Sequence, residues 1–313
     1  MYDDASLNNK SRDNRHSTTL VLLKLPFPDN CANIQKVNVN PTLSFGIRPF
    51  NAPKMNKLVF ALLISAVVAD VKITVVNKCK KTVWPGVFGQ GTIPENGGFE
   101  LAPGAQKVLT VPDGWVAGRI WPRTGCTGSG ENFQCETGAC GTSLQCNGKT
   151  GETPCSLAEI TLAKTTNDKD FYDISFVDGS NIPMSMQPVA GTFNTAGGSD
   201  KYYCTKAGEC NKDLKTIVPA NMQFKKNGKV VGTLSACSAT NDPKYCCSGA
   251  YSTPDKCKGD TFPPQYYKDL KAACPTTYIY AYDDPTSTFS CKGKGKPSPD
   301  YTVTFCTESG IGL

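Results

Sequence analysis

Apolar and polar residues alternate along several short segments of the chain, with the period of two expected of β-strands that bury one face. These segments are Val71–Asn77, Lys107–Val111, Asp170–Val177 and Tyr301–Phe305. In the third, the alternation puts Tyr172, Ile174 and Phe176 on one face of the strand. Asp173 is therefore expected on the opposite face, away from the apolar side.

Only residues 264–273 have a pattern typical of a helix, which opens with Pro264 and runs into Cys274. The 29 glycines and 22 prolines disfavour a helix bundle and favour a turn-rich β protein. Residues 126–155 and 204–257 have too few periodic apolar positions to fold without cross-links. The pattern therefore predicts a mainly β fold, an antiparallel β-sandwich core that carries disulfide-rich loop regions.

A hydrophobic run follows Lys57 and ends beside small residues such as Ala69, as in a secretory signal peptide over residues 55–69. The run has about 12 apolar residues, short of the roughly 20 that span a bilayer. No later segment is apolar enough to span, so we expect a secreted protein without stable membrane insertion. Because signal peptides act at the N-terminus, we interpret Met55 as the true start and residues 1–54 as an extension outside the fold.

Removal of residues 1–69 changes the available chemistry. It takes away His16, the only histidine, so that no Ser-His-Asp triad, Cys-His pair or imidazole metal site can be built. The remaining residues hold 25 basic and 23 acidic side chains, a balance too even for a nucleic-acid-binding surface. Any catalysis must then use carboxylates, and we expect no cofactor.

Residues 70–313 contain fifteen cysteines, a density typical of a secreted disulfide scaffold. Structural zinc is the competing interpretation. However, CxxC pairs are absent and Cys246 is adjacent to Cys247, which suits a single tetrahedral site poorly, so we expect no metal. Spacing does not determine the pairing, although Cys140 and Cys146 are close enough to staple one loop. Because fifteen is odd, one thiol is free or bridges to another chain.

Eight short motifs occur in order between Val71 and Cys306, in register with the cysteines. They are Val75-Val-Asn-x-Cys-x-x-Thr-Val-Trp84, Gly118-Arg-Ile-Trp-x-Arg-Thr-Gly-Cys126, Cys135-x-Thr-Gly-x-Cys140, Ser156-Leu-Ala-Glu159, Phe171-Tyr-Asp-Ile-Ser175, Val177-Asp-Gly-x-Asn-x-Pro-Met184, Tyr245-Cys-Cys247 and Thr302-Val-Thr-Phe-Cys306. Together they resemble the thaumatin-like proteins, also called the pathogenesis-related 5 or osmotin group. The resemblance implies a thaumatin-like domain over 70–313. Its parts would be a core sandwich (70–122, 159–210 and 275–313), a small disulfide loop region (123–158) and a long disulfide-rich loop region (211–274).

The resemblance also implies a set of disulfides. These are Cys79–Cys306, Cys126–Cys135, Cys140–Cys146, Cys204–Cys291, Cys210–Cys274, Cys237–Cys246 and Cys247–Cys257. These seven pairs use fourteen cysteines and leave Cys155 unpaired. Cys155 is then either a buried thiol or part of an intermolecular disulfide. We therefore expect a monomer unless Cys155 bridges to a second chain.

In thaumatin-like proteins one arginine and four acids line an acidic cleft. Matched position by position, the resemblance places in this cleft Arg119, Glu159, Asp173, Asp178 and Asp283. The last match is ambiguous because Asp284 is adjacent. Carboxylates accept hydrogen bonds from sugar hydroxyls, and an arginine holds such acids ionised and oriented. The resemblance therefore implies β-1,3-glucan or a related cell-wall polysaccharide as the partner.

Three functions remain open. The first is a secreted, antifungal defence protein that binds β-1,3-glucan of fungal walls without turnover. The second is a weak endo-β-1,3-glucanase with Glu159 as the acid and Asp178 as the base. The third is a non-catalytic interaction scaffold, suggested by the odd Cys155.

Aromatic residues bear on the choice between binding and hydrolysis. The family commonly has an aromatic where this chain has Ser180, so a possible sugar-stacking platform is missing and weak hydrolysis or a changed sugar preference is expected. The tryptophans Trp84, Trp115 and Trp121 are expected to pack inside the protein rather than to stack on sugars.

Overall fold

The computed structural model describes residues 70–306. The predicted extension and signal peptide lie outside the described residues. Twelve strands, numbered in chain order, build the fold: β1 Asp70–Asn77, β2 Gly86–Phe88, β3 Gln106–Pro112, β4 Gly118–Trp121, β5 Leu157–Thr161, β6 Asp170–Ser175, β7 Met184–Pro188, β8 Ala207–Gly208, β9 Gln223–Lys226, β10 Lys229–Thr233, β11 Phe289–Cys291 and β12 Tyr301–Phe305. They form two five-stranded sheets and one two-stranded ribbon, β9–β10.

The first sheet has the strand order β3-β1-β12-β7-β8 and the second has the order β11-β6-β5-β4-β2. One apolar cluster contains buried residues of both sheets, including Ile73 and Val75 of β1, Val303 of β12 and Tyr172 and Ile174 of β6. Full burial of each such side chain stabilises the fold by roughly 1.5–3 kcal/mol. The predicted β-sandwich is therefore observed, with its core between the two sheets.

One strand pair differs from the antiparallel prediction. The first and last strands of the described chain, β1 and β12, are parallel neighbours, with Ile73 opposite Tyr301 and Asn77 opposite Phe305. The other strand pairs in the described sheets are antiparallel. Alternation reveals which face of a strand is buried but carries no information on its direction, so the parallel pair was beyond sequence reasoning.

The helices are short, and the predicted one is interrupted. The α-helices are α1 Ala236–Thr240, α2 Pro243–Cys246, α3 Lys268–Ala273 and α4 Asp284–Ser287. Short 3-10 segments cover Pro94–Gly97, Gly130–Asn132, Leu214–Thr216, Ala220–Met222, Gly249–Tyr251, Gly259–Thr261 and Pro264–Tyr266. The expected helix over 264–273 breaks at Tyr267, whose φ of −141° is not helical and whose hydroxyl donates to Asp283 at 2.9 Å. No helix within residues 70–306 is long and apolar enough to cross a membrane.

Fourteen cysteines of the described residues form seven disulfides. The bonds are Cys79–Cys306, Cys126–Cys135, Cys140–Cys146, Cys204–Cys291, Cys210–Cys274, Cys237–Cys246 and Cys247–Cys257. These are the pairs that the resemblance implies. Cys155 has a free thiol in the structure and is only 1% exposed, so it matches the buried-thiol alternative.

Candidate functional site

A row of side chains crosses the outer face of the second sheet. Strand register places Phe88 opposite Arg119, Arg119 opposite Glu159, and Glu159 opposite Asp173. All four side chains are half-buried, whereas their neighbours along the strands, such as Ile120, lie in the core. The row Phe88–Arg119–Glu159–Asp173 is called the acid row below. It contains three of the five predicted cleft residues, Arg119, Glu159 and Asp173, which the pairing of the strands places side by side.

An ion pair orients the centre of the acid row. The Arg119 Nε and the Glu159 Oε1 are 2.9 Å apart, and the two side chains are 25% and 27% exposed. Glu159 and Asp173 are directly opposite on neighbouring antiparallel strands, where Cβ atoms are about 5 Å apart and like charges repel. The arginine on the other side of Glu159 offsets this repulsion. The row is therefore an oriented set of hydrogen-bond acceptors.

Asp178 lies in the turn that follows β6 and is half-buried. The turn is fastened to the β9–β10 ribbon, because the Ser180 amide donates to the Thr233 carbonyl at 2.8 Å and Thr233 N–H returns a bond of 2.7 Å. Gly179 has a φ of +80°, and a Cβ there would lie 2.4 Å from the Thr233 oxygen. Only glycine therefore fits between Asp178 and the ribbon.

The thiol of Cys155 lies beneath this site. The backbone amide of Cys155 donates to the Asp178 carbonyl at 3.3 Å. Burial raises the pKa of Cys155 well above its ordinary value, with further increases from the charges of Asp178 and Glu159 and an opposing effect of Arg119. The charges of Asp178, Glu159 and Arg119 all act on the Cys155 thiol, which indicates that Asp178 lies in the neighbourhood of the acid row.

Asp283 has a different environment from the other predicted cleft acids. It is 2% exposed and forms an ion pair with Lys271, whose Nζ lies 2.8 Å from the Asp283 Oδ2. Its two oxygens also accept from the Tyr267 hydroxyl, the Thr286 hydroxyl and the Ile279 amide at 2.9 to 3.1 Å. Such a carboxylate holds α3 against the segment that precedes α4 and has no oxygen left for a ligand.

Asp284, which the sequence left as the alternative, is exposed and is connected to the acid row. The hydroxyl of the buried Tyr278 donates to the Asp284 Oδ1 at 3.0 Å. The pKa of Tyr278 is raised first by burial and then by the charge of Asp173, so the hydroxyl lies near both acids. Tyr278 is a site residue that sequence reasoning missed, because a tyrosine among twelve has no distinguishing pattern.

The aromatic argument based on Ser180 is wrong. Ser180 is 6% exposed, and its hydroxyl lies 2.8 Å from the Thr233 hydroxyl, inside the contact with the ribbon. A side chain at this position faces the protein interior and forms no platform in the cleft. Trp115 and Trp121 are buried as expected, but Trp84 is only half-buried.

Comparison with known sequences identifies the family. The profile of the thaumatin family matches residues 77–307. The chain is 45% identical over 240 residues to pathogenesis-related thaumatin-like protein 3.5 of Cryptomeria japonica, which covers 75% of this chain and 90% of that protein. It is 43% identical over 251 residues to pathogenesis-related protein 5 of Arabidopsis thaliana, with 80% and 95% covered. The chain therefore belongs to the thaumatin family.

Among solved structures, the thaumatin-like xylanase inhibitor TLXI matches with 34% identity and a TM-score of 0.30. The match covers 37% of this chain and 74% of that one. The overlap is partial, and the family assignment rests on the sequence matches. Seven disulfides and the family together fit an extracellular protein.

Proposed function

We propose that this chain is a secreted defence protein that binds β-1,3-glucan of fungal cell walls at the acid row. The observation that carries the proposal is the register of β4, β5 and β6, which aligns Arg119, Glu159 and Asp173 on one half-buried surface. Membership of a family whose named relatives include pathogenesis-related proteins supports the defence role.

The geometry of the acid row suits a neutral, hydroxyl-rich polymer. Neighbouring strands are about 4.8 Å apart, so the row offers acceptors at regular intervals along a line that crosses the strands. Carboxylate acceptors form hydrogen bonds about twice as strong as neutral ones. Half-burial shields these bonds from water, while the Glu159 side chain stays 27% exposed. Of the two Asp173 oxygens, Oδ1 is buried, so Oδ2 is the acceptor offered to a ligand. A glucan chain that lies across the strands would donate its hydroxyls to Glu159 and Asp173, with Asp178 and Asp284 at the margin.

Binding without turnover fits the contacts of Glu159 better than hydrolysis does. A general acid must hold a proton and deliver it to the glycosidic oxygen. Glu159 instead accepts from the Arg119 guanidinium at 2.9 Å, the arrangement of an ionised acceptor. The carboxylate opposite Glu159 in the sheet is Asp173 rather than the Asp178 of the hydrolytic hypothesis.

The decisive experiment compares two ion-paired glutamates. Glu159→Gln removes the charge at the centre of the row, whereas Glu209→Gln removes the charge of the exposed Lys206–Glu209 pair, 2.7 Å in length and outside the row. We expect Glu159→Gln to weaken retention on insoluble β-1,3-glucan about tenfold, the order expected for hydrogen bonds to a charged group, and Glu209→Gln to leave it unchanged.

Release of reducing ends from soluble β-1,3-glucan is measured in parallel. Turnover that Glu159→Gln abolishes would replace the proposal with a carboxylate glycosidase. If the unaltered protein shows neither retention nor turnover, the binding proposal is wrong and the interaction scaffold remains.

A further inference from the structure

A second groove, distinct from the acid row in every residue, opens on the surface of the described chain. It has a volume of about 410 Å³, which falls in the range of small-ligand sites. Its walls come from four separate segments and consist of Lys80, Lys81, Thr82, Trp84, Pro103, Gly125 and Glu136. We call it the Trp84 groove.

The three tryptophans of the chain differ in how they use the indole N–H. Trp115 is 2% exposed and donates to the Thr92 carbonyl, and Trp121 is fully buried and donates to the Gly138 carbonyl, both at 2.9 Å. Trp84 is half-buried and lines the groove, and its indole N–H makes no hydrogen bond to any of residues 70–306. A tryptophan with its apolar ring partly buried and its indole N–H accessible is suited to contact a ligand through both the ring and the N–H.

The position of the Trp84 ring is well supported from behind. Its edge packs on Phe133, with ring centroids 6.5 Å apart, and the buried Arg123 guanidinium lies 5.3 Å from the same Phe133 ring. Arg123 Nε donates to the Trp84 carbonyl at 2.7 Å, which fixes the backbone as well. The indole is therefore a rigid platform. Its conformational entropy is already lost on folding, so binding a ligand does not have to order it.

The charges at the groove are not engaged elsewhere in the described chain. Lys80, Lys81 and Glu136 are exposed, and none of them forms an ion pair with another residue of 70–306. In contrast, Lys271 and Lys296 are each paired with an aspartate at 2.8 and 2.7 Å. Two adjacent unpaired ammonium groups beside an aromatic platform favour an anionic ligand with flat, apolar ring faces.

We infer that the Trp84 groove binds an acidic oligosaccharide, a short chain of pyranose rings that carry carboxylates. One ring packs on the Trp84 indole, the carboxylates face Lys80 and Lys81, and a ring hydroxyl accepts from the indole N–H. Glu136, on the same groove wall, opposes the ligand as a like charge. The acid row repels such a chain and the two lysines attract it. Together with the proposed glucan site, the groove gives the protein one site for a neutral sugar chain and one for an acidic sugar chain.

The test uses tetragalacturonate and a neutral tetrasaccharide of the same linkage, titrated into the purified full chain by calorimetry at two salt concentrations. Lys80→Gln/Lys81→Gln alters exposed side chains only, so the fold is preserved. We expect each lysine to contribute a factor of up to about five in affinity, and added salt to weaken the unaltered protein more than the variant.

Two further variants make the test specific to this groove. Glu136→Gln removes a like charge and should strengthen tetragalacturonate binding two- to fivefold, about the effect of one exposed charge. Trp84→Ala should abolish detectable binding, with near-ultraviolet circular dichroism as the check on folding. Glu159→Gln should not weaken tetragalacturonate binding, which separates this inference from the proposed glucan site.

The inference is overturned by any of three results: no saturable binding of tetragalacturonate, equal affinity for the neutral tetrasaccharide, or an affinity that the lysine and Glu136 variants leave unchanged. If the protein binds tetragalacturonate but is not retained on glucan, only the proposed function is contradicted. If the protein is retained on glucan but does not bind tetragalacturonate, only the inference about the Trp84 groove is contradicted.

Discussion

The two faces of strand β6 put the same residue type to opposite uses. Asp170 and Asp173 are three positions apart, so the alternation of a strand turns them to opposite sides of the sheet. Asp173 is on the outer face in the acid row, while Asp170 is fully buried between the sheets. Position within the strand, rather than residue type, decides which carboxylate is available to a ligand.

The inner carboxylate joins the two sheets. Asp170 Oδ1 accepts from the Ala163 amide and the Ser298 hydroxyl, and its Oδ2 accepts from the hydroxyl of Tyr301 on β12, all at 2.6 Å. No cation forms an ion pair with it among the described residues. Burial raises the pKa of Asp170 from 3.8 to about 6, against the opposing effect of its hydrogen bonds. A buried carboxylate of this kind is a structural cross-link with a dependence on pH.

The largest effect is expected from removing that cross-link. Asp170→Ala leaves three buried donors without an acceptor, and we expect the free energy of unfolding to fall by about 4 kcal/mol. Guanidinium denaturation with the disulfides intact measures it. The control is Asp168→Ala, which removes an exposed acceptor and should cost less than about 1 kcal/mol. Similar losses in the two variants would contradict the contrast between the faces.

The next effect is on the pH dependence of stability. Because the pKa of Asp170 is raised on folding, the folded protein keeps a proton that the unfolded chain loses. Its contribution is therefore fully present below pH 3.8 and is lost as the pH rises to about 6. The predicted loss is up to about 3 kcal/mol, at 1.36 kcal/mol per pKa unit. Denaturation of the protein and of Asp170→Asn between pH 4 and 7 measures it, and parallel curves would refute the assignment.

A smaller effect on stability is expected on the outer face. Arg119→Gln breaks the Arg119–Glu159 ion pair, which is about a quarter exposed, and should change the free energy of unfolding by less than about 1 kcal/mol. Retention on β-1,3-glucan should nevertheless fall, because Glu159 loses the group that orients it. A large loss of stability with unchanged retention would make the acid row structural, like Asp170.

The smallest effect concerns the layer beneath the acid row. Cys155 is 1% exposed, and burial raises its thiol pKa, so we expect native protein to react negligibly with a thiol reagent at pH 8. The full chain has one further cysteine, Cys31 in the N-terminal extension, so a Cys31→Ser background isolates the Cys155 thiol. Unfolding with the disulfides intact should then expose one reactive thiol per chain. Rapid labelling of the native protein would show that the outer face is open to solvent as far as Cys155.

Alternation and cysteine content were sufficient to predict the β-sandwich and its inner faces. The motifs carried Arg119, Glu159 and Asp173, which the structure brings together. Asp170 was missed, although it shares the parity of Tyr172 and Ile174, because a charged residue at the start of a strand is normally read as solvent-facing. The choice between Asp283 and Asp284 depends on a tertiary contact with Lys271, 12 residues away in sequence, which no local pattern encodes.

The disulfide between Cys79 and Cys306, 227 positions apart, closes the folded chain into a covalent ring. The other six disulfides lie within this ring. A protease that cuts one peptide bond between these two cysteines opens the ring without releasing a fragment, and the strands β1 and β12 stay joined. The cleaved chain keeps its mass in a non-reducing gel, and only a reductant separates it into two fragments.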